Sequence, residues 1–123
     1  MSYREDLKYT QDHEWIRIDG EQAYVGITEY AASQLGDIVF VELPEEDAEI
    51  GEGDVLCNIE SVKAVAEVYC PLSGVVVQIN SDLEDAPEKI NEAPYDAWLA
   101  VLKISEIGEC MDASAYSAYV EGL

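Results

Sequence analysis

Apolar and polar residues alternate along much of this chain, and Gly, Pro, Asp and Asn break the alternation at short intervals. Period-two alternation puts successive side chains on opposite faces of a strand, so each such run predicts a half-buried β-strand. The polar opening "LKYTQDHEWIRI" (7–18) runs into alternation, "DGEQ" reads as a turn, and "AYVGIT" (23–28) follows as a second strand. Thr28 stands where a helix N-cap belongs, before "EYAASQL" (29–35), and Gly36 ends the segment, which predicts a helix of about two turns. "DIVFVELP" (37–44) is strongly β-prone and closed by Pro44, and the acidic "EEDAEIGEGD" (45–54) reads as a loop. "VLCNIESV" (55–62), "AVAEVYCP" (64–71) and "LSGVVVQIN" (72–80) predict three more strands. Residues 81–95 are polar, contain Pro87 and Pro94, and read as loop with room for one helical turn. "AWLAVLKI" (97–104) returns to a strand, and Asp112 caps a short helix with Tyr116, Tyr119 and Val120 on one face.

Short strands joined by Gly and Pro turns, with only connecting and terminal helices, predict a mostly β sandwich or barrel. At 123 residues the chain is expected to be one domain, 1–123. "LGDIVFVEL" at 35 and "LSGVVVQIN" at 72 form a faint internal echo, pointing to two similar halves with Lys63 at the far end of their connection. Around that lysine, period two places Val62, Ala64, Ala66 and Val68 on one face and Ile59, Ser61, Lys63, Val65, Glu67 and Tyr69 on the other. If "SVKA" is a tight turn, the faces meet across a hairpin and Lys63 projects from its tip, between small residues that leave the amine accessible. The pattern alone leaves the plainer alternative open: a solvated hairpin lysine.

Charge narrows the function classes. Asp and Glu number 27 against 6 Lys and Arg, a formal net charge of −21. Such a surface repels phosphate backbones and anionic lipid heads, so neither nucleic acid nor membrane is an expected partner, and basic docking faces are favoured. A solvated, salt-adapted surface accounts for the excess equally well. No run approaches the ~20 apolar residues of a membrane span, and the opening lacks the apolar core of a signal peptide. The expected location is the cytoplasm, or the mitochondrial matrix if a transit peptide was removed. Cys57, Cys70 and Cys110 are odd in number and lack C-x-x-C spacing, so neither a disulfide framework nor a zinc site is indicated, and Cys57 and Cys70 read as small buried hydrophobes. No nucleophile–base pairing or phosphate loop is present that would indicate an enzyme.

"ESVKA" (60–64), preceded by "LGDIVFVELP" and followed by "YCPLSGVVVQIN", resembles the glycine cleavage system H-protein family. "LKYTQDHEWI", "VGITEYAASQLGDIVFVELP" and "INEAPYDAWL" extend the likeness over residues 7–104, and the C-terminal helix fits more loosely. Family members usually carry a glycine just before the tryptophan of the last block. Here Ala97 stands there and the stretch is one residue shorter, which sets the local turn apart from the family pattern.

The resemblance implies a lipoyl-domain-like barrel-sandwich hybrid of two antiparallel sheets with a short internal helix and a C-terminal helix. It implies lipoate in amide linkage on Lys63, with Glu60, Ser61, Val62 and Ala64 recognised by the lipoate-attaching enzyme. The chain would then be a non-catalytic, monomeric carrier of the glycine cleavage system. Glycine decarboxylase (P protein) would load the arm with an aminomethyl group, aminomethyltransferase (T protein) would take the one-carbon unit, and dihydrolipoyl dehydrogenase (L protein) would reoxidise the dithiol. In the family the loaded arm folds back beside the "HEW" segment, which by position implies a pocket of Glu14 and Glu67 with Asp12 nearby, the carboxylates meeting a cationic amine. His13, the only histidine, is expected to be structural, since such a carrier needs no general base. Trp15 and Trp98 are expected to be packing residues.

Three other readings stand beside this one. Biotinyl lysines usually sit between methionines, and lipoyl lysines of 2-oxoacid dehydrogenases usually follow an aspartate; Lys63 sits between Val62 and Ala64. A lipoyl donor or store for other complexes is not separated from the carrier by sequence. An unmodified acidic interaction module would show no mass gain on lipoylation.

Overall fold

Gly20, at φ +63°, closes a two-residue turn that sets Glu14–Asp19 (β2) antiparallel to Gln22–Ile27 (β3), with Asp19 opposite Gln22 and Glu14 opposite Ile27. The computed structural model describes residues 3–123; Met1 and Ser2, counted in the sequence-based domain range, lie outside the described residues. Alternation along the hairpin continues through Ala100–Ile107 (β9) and Leu72–Ile79 (β8). Together with the two-residue strands Lys8–Tyr9 (β1) and Glu49–Ile50 (β5), these form a six-stranded sheet of order β1-β2-β3-β9-β8-β5. A second, three-stranded sheet has the order β4-β6-β7, from Ile38–Glu42 (β4), Val55–Ser61 (β6) and Val65–Tyr69 (β7). All pairings are antiparallel and neither sheet closes into a barrel, so the predicted mostly β architecture of two antiparallel sheets holds. The two echoing segments become β4, an edge of the small sheet, and β8, an interior strand of the large one.

The inward residues of the small sheet, Ile38, Val41, Cys57, Ile59 and Val68, pack with Ile27 and Leu99 in one buried cluster. A second cluster joins Leu56 and Cys70 to Ile16, Val25, Val76 and Leu102. Burying these aliphatic side chains is the main driving force for closing one sheet on the other, at about 1.5–3 kcal/mol for each Val, Leu or Ile.

The helix at Glu29–Leu35 (α1) begins and ends as predicted: Thr28 Oγ1 accepts from Ala31 N at 3.2 Å, and Gly36 takes the left-handed φ of +76°. At the C-terminus, Ala113–Glu121 (α4) is capped by Asp112, whose Oδ1 accepts from Ala115 N at 2.8 Å. Residues 81–95 hold more order than the sequence reading allowed. Asp82–Asp85 (α2) and Lys89–Glu92 (α3) are two single-turn helices, because Leu83 and Ile90 are drawn fully into the first cluster. Likewise the acidic loop at 45–54 contributes β5, whose Glu49 and Ile50 pair with Val75 and Gly74. None of the helices among the described residues is long and apolar enough to cross a membrane.

Candidate functional site

Lys63 lies in a turn, not within a strand. Glu60 pairs with Val65, so residues 61–64 reverse the chain between β6 and β7. Ser61 builds the reversal: its backbone N donates to Ala64 O at 2.8 Å, and its Oγ accepts from Ala64 N at 3.0 Å and Lys63 N at 3.3 Å. Val62 N donates to Asp37 O at 2.9 Å, which docks the turn on the segment following α1. The continuous two-face alternation through 59–69 is corrected accordingly. Ile59 is fully buried and pairs with Ala66, so it shares no face with exposed Lys63 and Glu67.

The lysine stem passes over Gly36, where a Cβ would come 3.4 Å from Lys63 Cε. Asn91 fixes this floor from below, donating through Nδ2 to Gly36 O at 2.8 Å and accepting through Oδ1 from Ile38 N at 2.9 Å. Among the described residues the Lys63 amine has no hydrogen bond or ion pair.

A cavity of about 200 Å³ begins one residue from that floor, at Leu35. Tyr30, Ala31, Gln34 and Leu35 of α1 line one side and Ala66, Glu67 and Val68 of β7 another; Asp12, His13, Glu14 and Ile27 complete it. From Leu35 back to Tyr30 the helix runs about 8 Å. Apolar walls therefore lead from Leu35, the neighbour of Gly36, to a group of carboxylates.

Those carboxylates differ in setting. Glu14 is only 2% exposed, and burial pushes its pKa up to about 7, with Asp12 adding to the rise and the Thr10 hydroxyl opposing it. Glu67 and Asp12 are exposed, and Glu67 Oε1 accepts from Tyr69 OH at a long 3.5 Å. His13 takes a left-handed φ of +68°, its ring lies 4.7 Å from that of Tyr30, and burial lowers its pKa against the opposing charge of Asp12. Its Nδ1 is 2.7 Å from Tyr116 OH.

Glu14, Glu67 and Asp12 thus line one cleft, Glu14 as its buried member. Glu60 projects from the outer face between Phe40 and Val65, Val62 is 68% exposed at the turn, and Ala64 is exposed beside Lys63. Ser61, read from sequence as a recognition residue, has its hydroxyl committed to holding the turn. Trp15 is buried and donates through Nε1 to Pro94 O at 3.0 Å, and Trp98 packs edge-on against Tyr24. Cys57 and Cys70 are buried, free, and in separate clusters, while Cys110 is exposed. Ala97, at the shortened stretch, is buried and donates to Ala93 O at 3.0 Å.

Sequence reasoning missed Asn91 and the second role of Gly36. A serine two residues before a lysine between strands does signal a hydroxyl-stabilised turn. For Asn91 no local signal exists, because its two partners lie more than 50 residues away.

The chain matches the family described as "Glycine cleavage H-protein" over residues 7–122. It is 54% identical over 125 residues to a protein from Thermococcus gammatolerans named "Probable glycine cleavage system H protein", covering 98% of this chain and 93% of that one. A Pyrococcus horikoshii protein of the same name is 52% identical over 126 residues, with the same coverage. The crystal structure of a glycine cleavage system H protein from Mycobacterium marinum superimposes with a TM-score of 0.92 at 38% identity, covering 98% of this chain and all of that one. A family pattern spanning nearly every residue, joined to the same fold in a solved relative, makes this chain a member of the glycine cleavage H-protein family.

Proposed function

We propose that the chain is a one-domain, non-catalytic lipoyl carrier of the glycine cleavage system, with lipoate attached to Lys63. One observation carries this reading: on a braced turn, an amine without a hydrogen bond or ion pair among the described residues lies over Gly36, the residue that follows Leu35 in the wall of an apolar cleft bearing carboxylates. When bound, lipoate supplies a dithiolane whose sulfur carries the aminomethyl group of glycine and whose disulfide is reduced and reoxidised. The chain's own residues present and protect it. Ser61 and the Val62–Asp37 hydrogen bond hold the attachment point out for a modifying enzyme, with Glu60, Val62 and Ala64 as the surface it reads. Ile27, Ala31, Leu35, Ala66 and Val68 limit water along the cleft. Glu14, with Glu67 and Asp12 at the rim, meets a cationic amine there, and a carboxyl raised by burial is stabilised in its ionised form by such a cation.

The partners are the P, T and L proteins and the lipoate-attaching enzyme, and the tether's contribution is effective concentration as the arm moves between them. The site of action is the cytoplasm or a mitochondrial matrix. Intact mass after treatment with lipoate ligase and lipoate is expected to rise by one lipoyl group, and not at all in Lys63→Arg. Glycine–bicarbonate exchange with the decarboxylase is expected only with the modified chain. In Glu14→Gln/Glu67→Gln the aminomethyl group is expected to be lost several-fold faster, and an unchanged lifetime would remove these carboxylates from the proposal.

A further inference from the structure

The C-terminal helix meets the cleft segment through two phenols: Tyr119, whose ring lies 5.9 Å from that of His13, and Tyr116, which hydrogen-bonds to both sides. Tyr116 of α4 is fully buried, its ring stacked on Tyr9 at 4.8 Å and 9°, and its hydroxyl lies 2.7 Å from His13 Nδ1 and 2.8 Å from Thr28 Oγ1. Thr28 is also fully buried and caps α1 by accepting from Ala31 N. One oxygen of α4 therefore joins two walls of the cleft. On one side stands the His13–Glu14 segment. On the other stands α1, which lines the cleft and ends at the Gly36 floor under Lys63.

Counting protons gives this network a direction. Thr28 Oγ1 accepts from Ala31 N, and its own proton has Tyr116 Oη within reach. Tyr116 then donates to His13 Nδ1, which leaves the ring proton on Nε2. The opposite direction would leave the buried Thr28 hydroxyl proton without an acceptor among the described residues, a loss of about 1–3 kcal/mol. The network also bears on backbone strain. Among the described residues His13 is one of two non-glycine residues at positive φ, a conformation held by His13 N donating to Thr10 O at 3.1 Å and Thr28 N donating to His13 O at 2.9 Å. The same backbone leads directly into buried Glu14.

We infer that Tyr116 is a positioning residue for the arm cleft: its hydroxyl fixes His13 as the Nε2–H tautomer and ties the cap of α1 to the Glu14 segment, so the C-terminal helix sets the shape of the cleft. The role in protecting the arm rests on the carrier reading above; the tautomer does not.

The test is Tyr116→Phe, which keeps the ring on Tyr9 and removes only the hydroxyl. Tyr119→Phe is the control, because it removes a different α4 hydroxyl, one that donates to Gln11 O at 3.3 Å. His13 is the only histidine, so its ring nitrogens are read without ambiguity by ¹⁵N NMR of the unmodified chain. The Nε2–H form is expected in the parent and in Tyr119→Phe, and a mixture of tautomers in Tyr116→Phe. In the lipoylated, aminomethyl-loaded chain, Tyr116→Phe is expected to lose the group several-fold faster with an unchanged rate of lipoylation at Lys63. A persisting single Nε2–H form in Tyr116→Phe overturns the relay. A parental lifetime in Tyr116→Phe, with a shortened one in Glu14→Gln/Glu67→Gln, overturns the positioning role and leaves the cleft reading intact. If the double variant keeps the parental lifetime, the cleft reading fails and the tautomer shift alone decides the relay.

Discussion

Thr10 and Glu14 exchange two hydrogen bonds across a four-residue turn: Thr10 Oγ1 donates to Glu14 Oε1 at 2.7 Å, and Glu14 N donates to Thr10 Oγ1 at 3.1 Å. The hydroxyl favours the ionised carboxylate, yet burial outweighs it and the carboxyl still titrates near 7. The native state therefore holds this proton more tightly than the unfolded chain does. Its stabilising contribution is complete below the ordinary value of 4.5 and is lost as pH rises through about 7. The shift corresponds to about 3 kcal/mol. His13, lowered by burial, acts oppositely below its ordinary 6.5, so variant and parent must be compared at equal pH. Glu14→Gln is expected to be more stable than the parent at pH 8 and to lose the advantage by pH 5, as read by urea unfolding at both values.

Loading the cleft is expected to reverse this preference. A cation beside Glu14 stabilises the carboxylate, so its titration is expected to move from near 7 in the unmodified chain to lower pH when an aminomethyl-loaded arm is bound. Side-chain ¹³C NMR of Glu14 reads both states. A titration that ignores loading would separate this carboxyl from the amine.

Beneath the lysine stem, Gly36 combines φ +76° with ψ −155°, a region that residues with a Cβ rarely enter. Gly36→Ala is expected to lower stability by about 1–3 kcal/mol. It also brings a methyl into van der Waals contact with the lysine stem, 3.4 Å from Lys63 Cε. Asn91→Ala removes both braces of this floor and is expected to cost about 1–3 kcal/mol through unpaired backbone groups. In both variants the lipoylation rate, followed by intact mass, is expected to fall more than that of a surface variant of equal stability.

The parts of this protein that read clearly from sequence are those fixed by local chemistry. Thr28 and Asp112 cap helices because a hydroxyl or carboxylate before an apolar run finds the free amides of the first turn. The β6–β7 hairpin follows from alternation on both sides of "SVKA". What stayed hidden depends on distant partners. Leu83 and Ile90 make single-turn helices only because the small sheet's inner face receives them. By composition Glu14 is one of 27 carboxylates; the resemblance implies a pocket role for it, but its burial beside a cavity depends on the fold. Tyr116 belonged to a recognised helix face, but its hydroxyl partners lie 88 and 103 residues away.

The three thiols should separate cleanly. Cys57 and Cys70 are 2% and 1% exposed, and burial pushes the Cys70 thiol up to about 11 and Cys57 further, whereas Cys110 is exposed. Reaction depends on access and on the thiolate. One equivalent of a maleimide is expected to add to the native chain, mapping to Cys110, and three in denaturant. Rapid native labelling at Cys70 would mean that the interface between the sheets opens.

Salt should stabilise this protein. The chain carries 27 carboxylates against 6 basic side chains, and the ion pairs among the described residues are Arg4–Asp6 at 2.7 Å and Lys89–Asp82 at 3.9 Å, both exposed. Exposed pairs of this kind contribute about 0–1 kcal/mol each. Folding gathers the net charge of −21 into a small volume, so mutual repulsion opposes it. Repulsion reaches about 30 Å at 0.01 M salt and about 8 Å at 0.15 M, so screening relieves the folded state more than the expanded unfolded one. Between 10 mM and 500 mM NaCl the Tm is expected to rise by at least about 4 °C, the shift that roughly 1 kcal/mol produces in a domain of this size. Sodium chloride keeps the comparison electrostatic, because sulfate would also strengthen apolar burial. A flat Tm would mean that the carboxylates are spaced widely enough for water alone to screen them, and the acidic excess would then leave the fold's stability untouched.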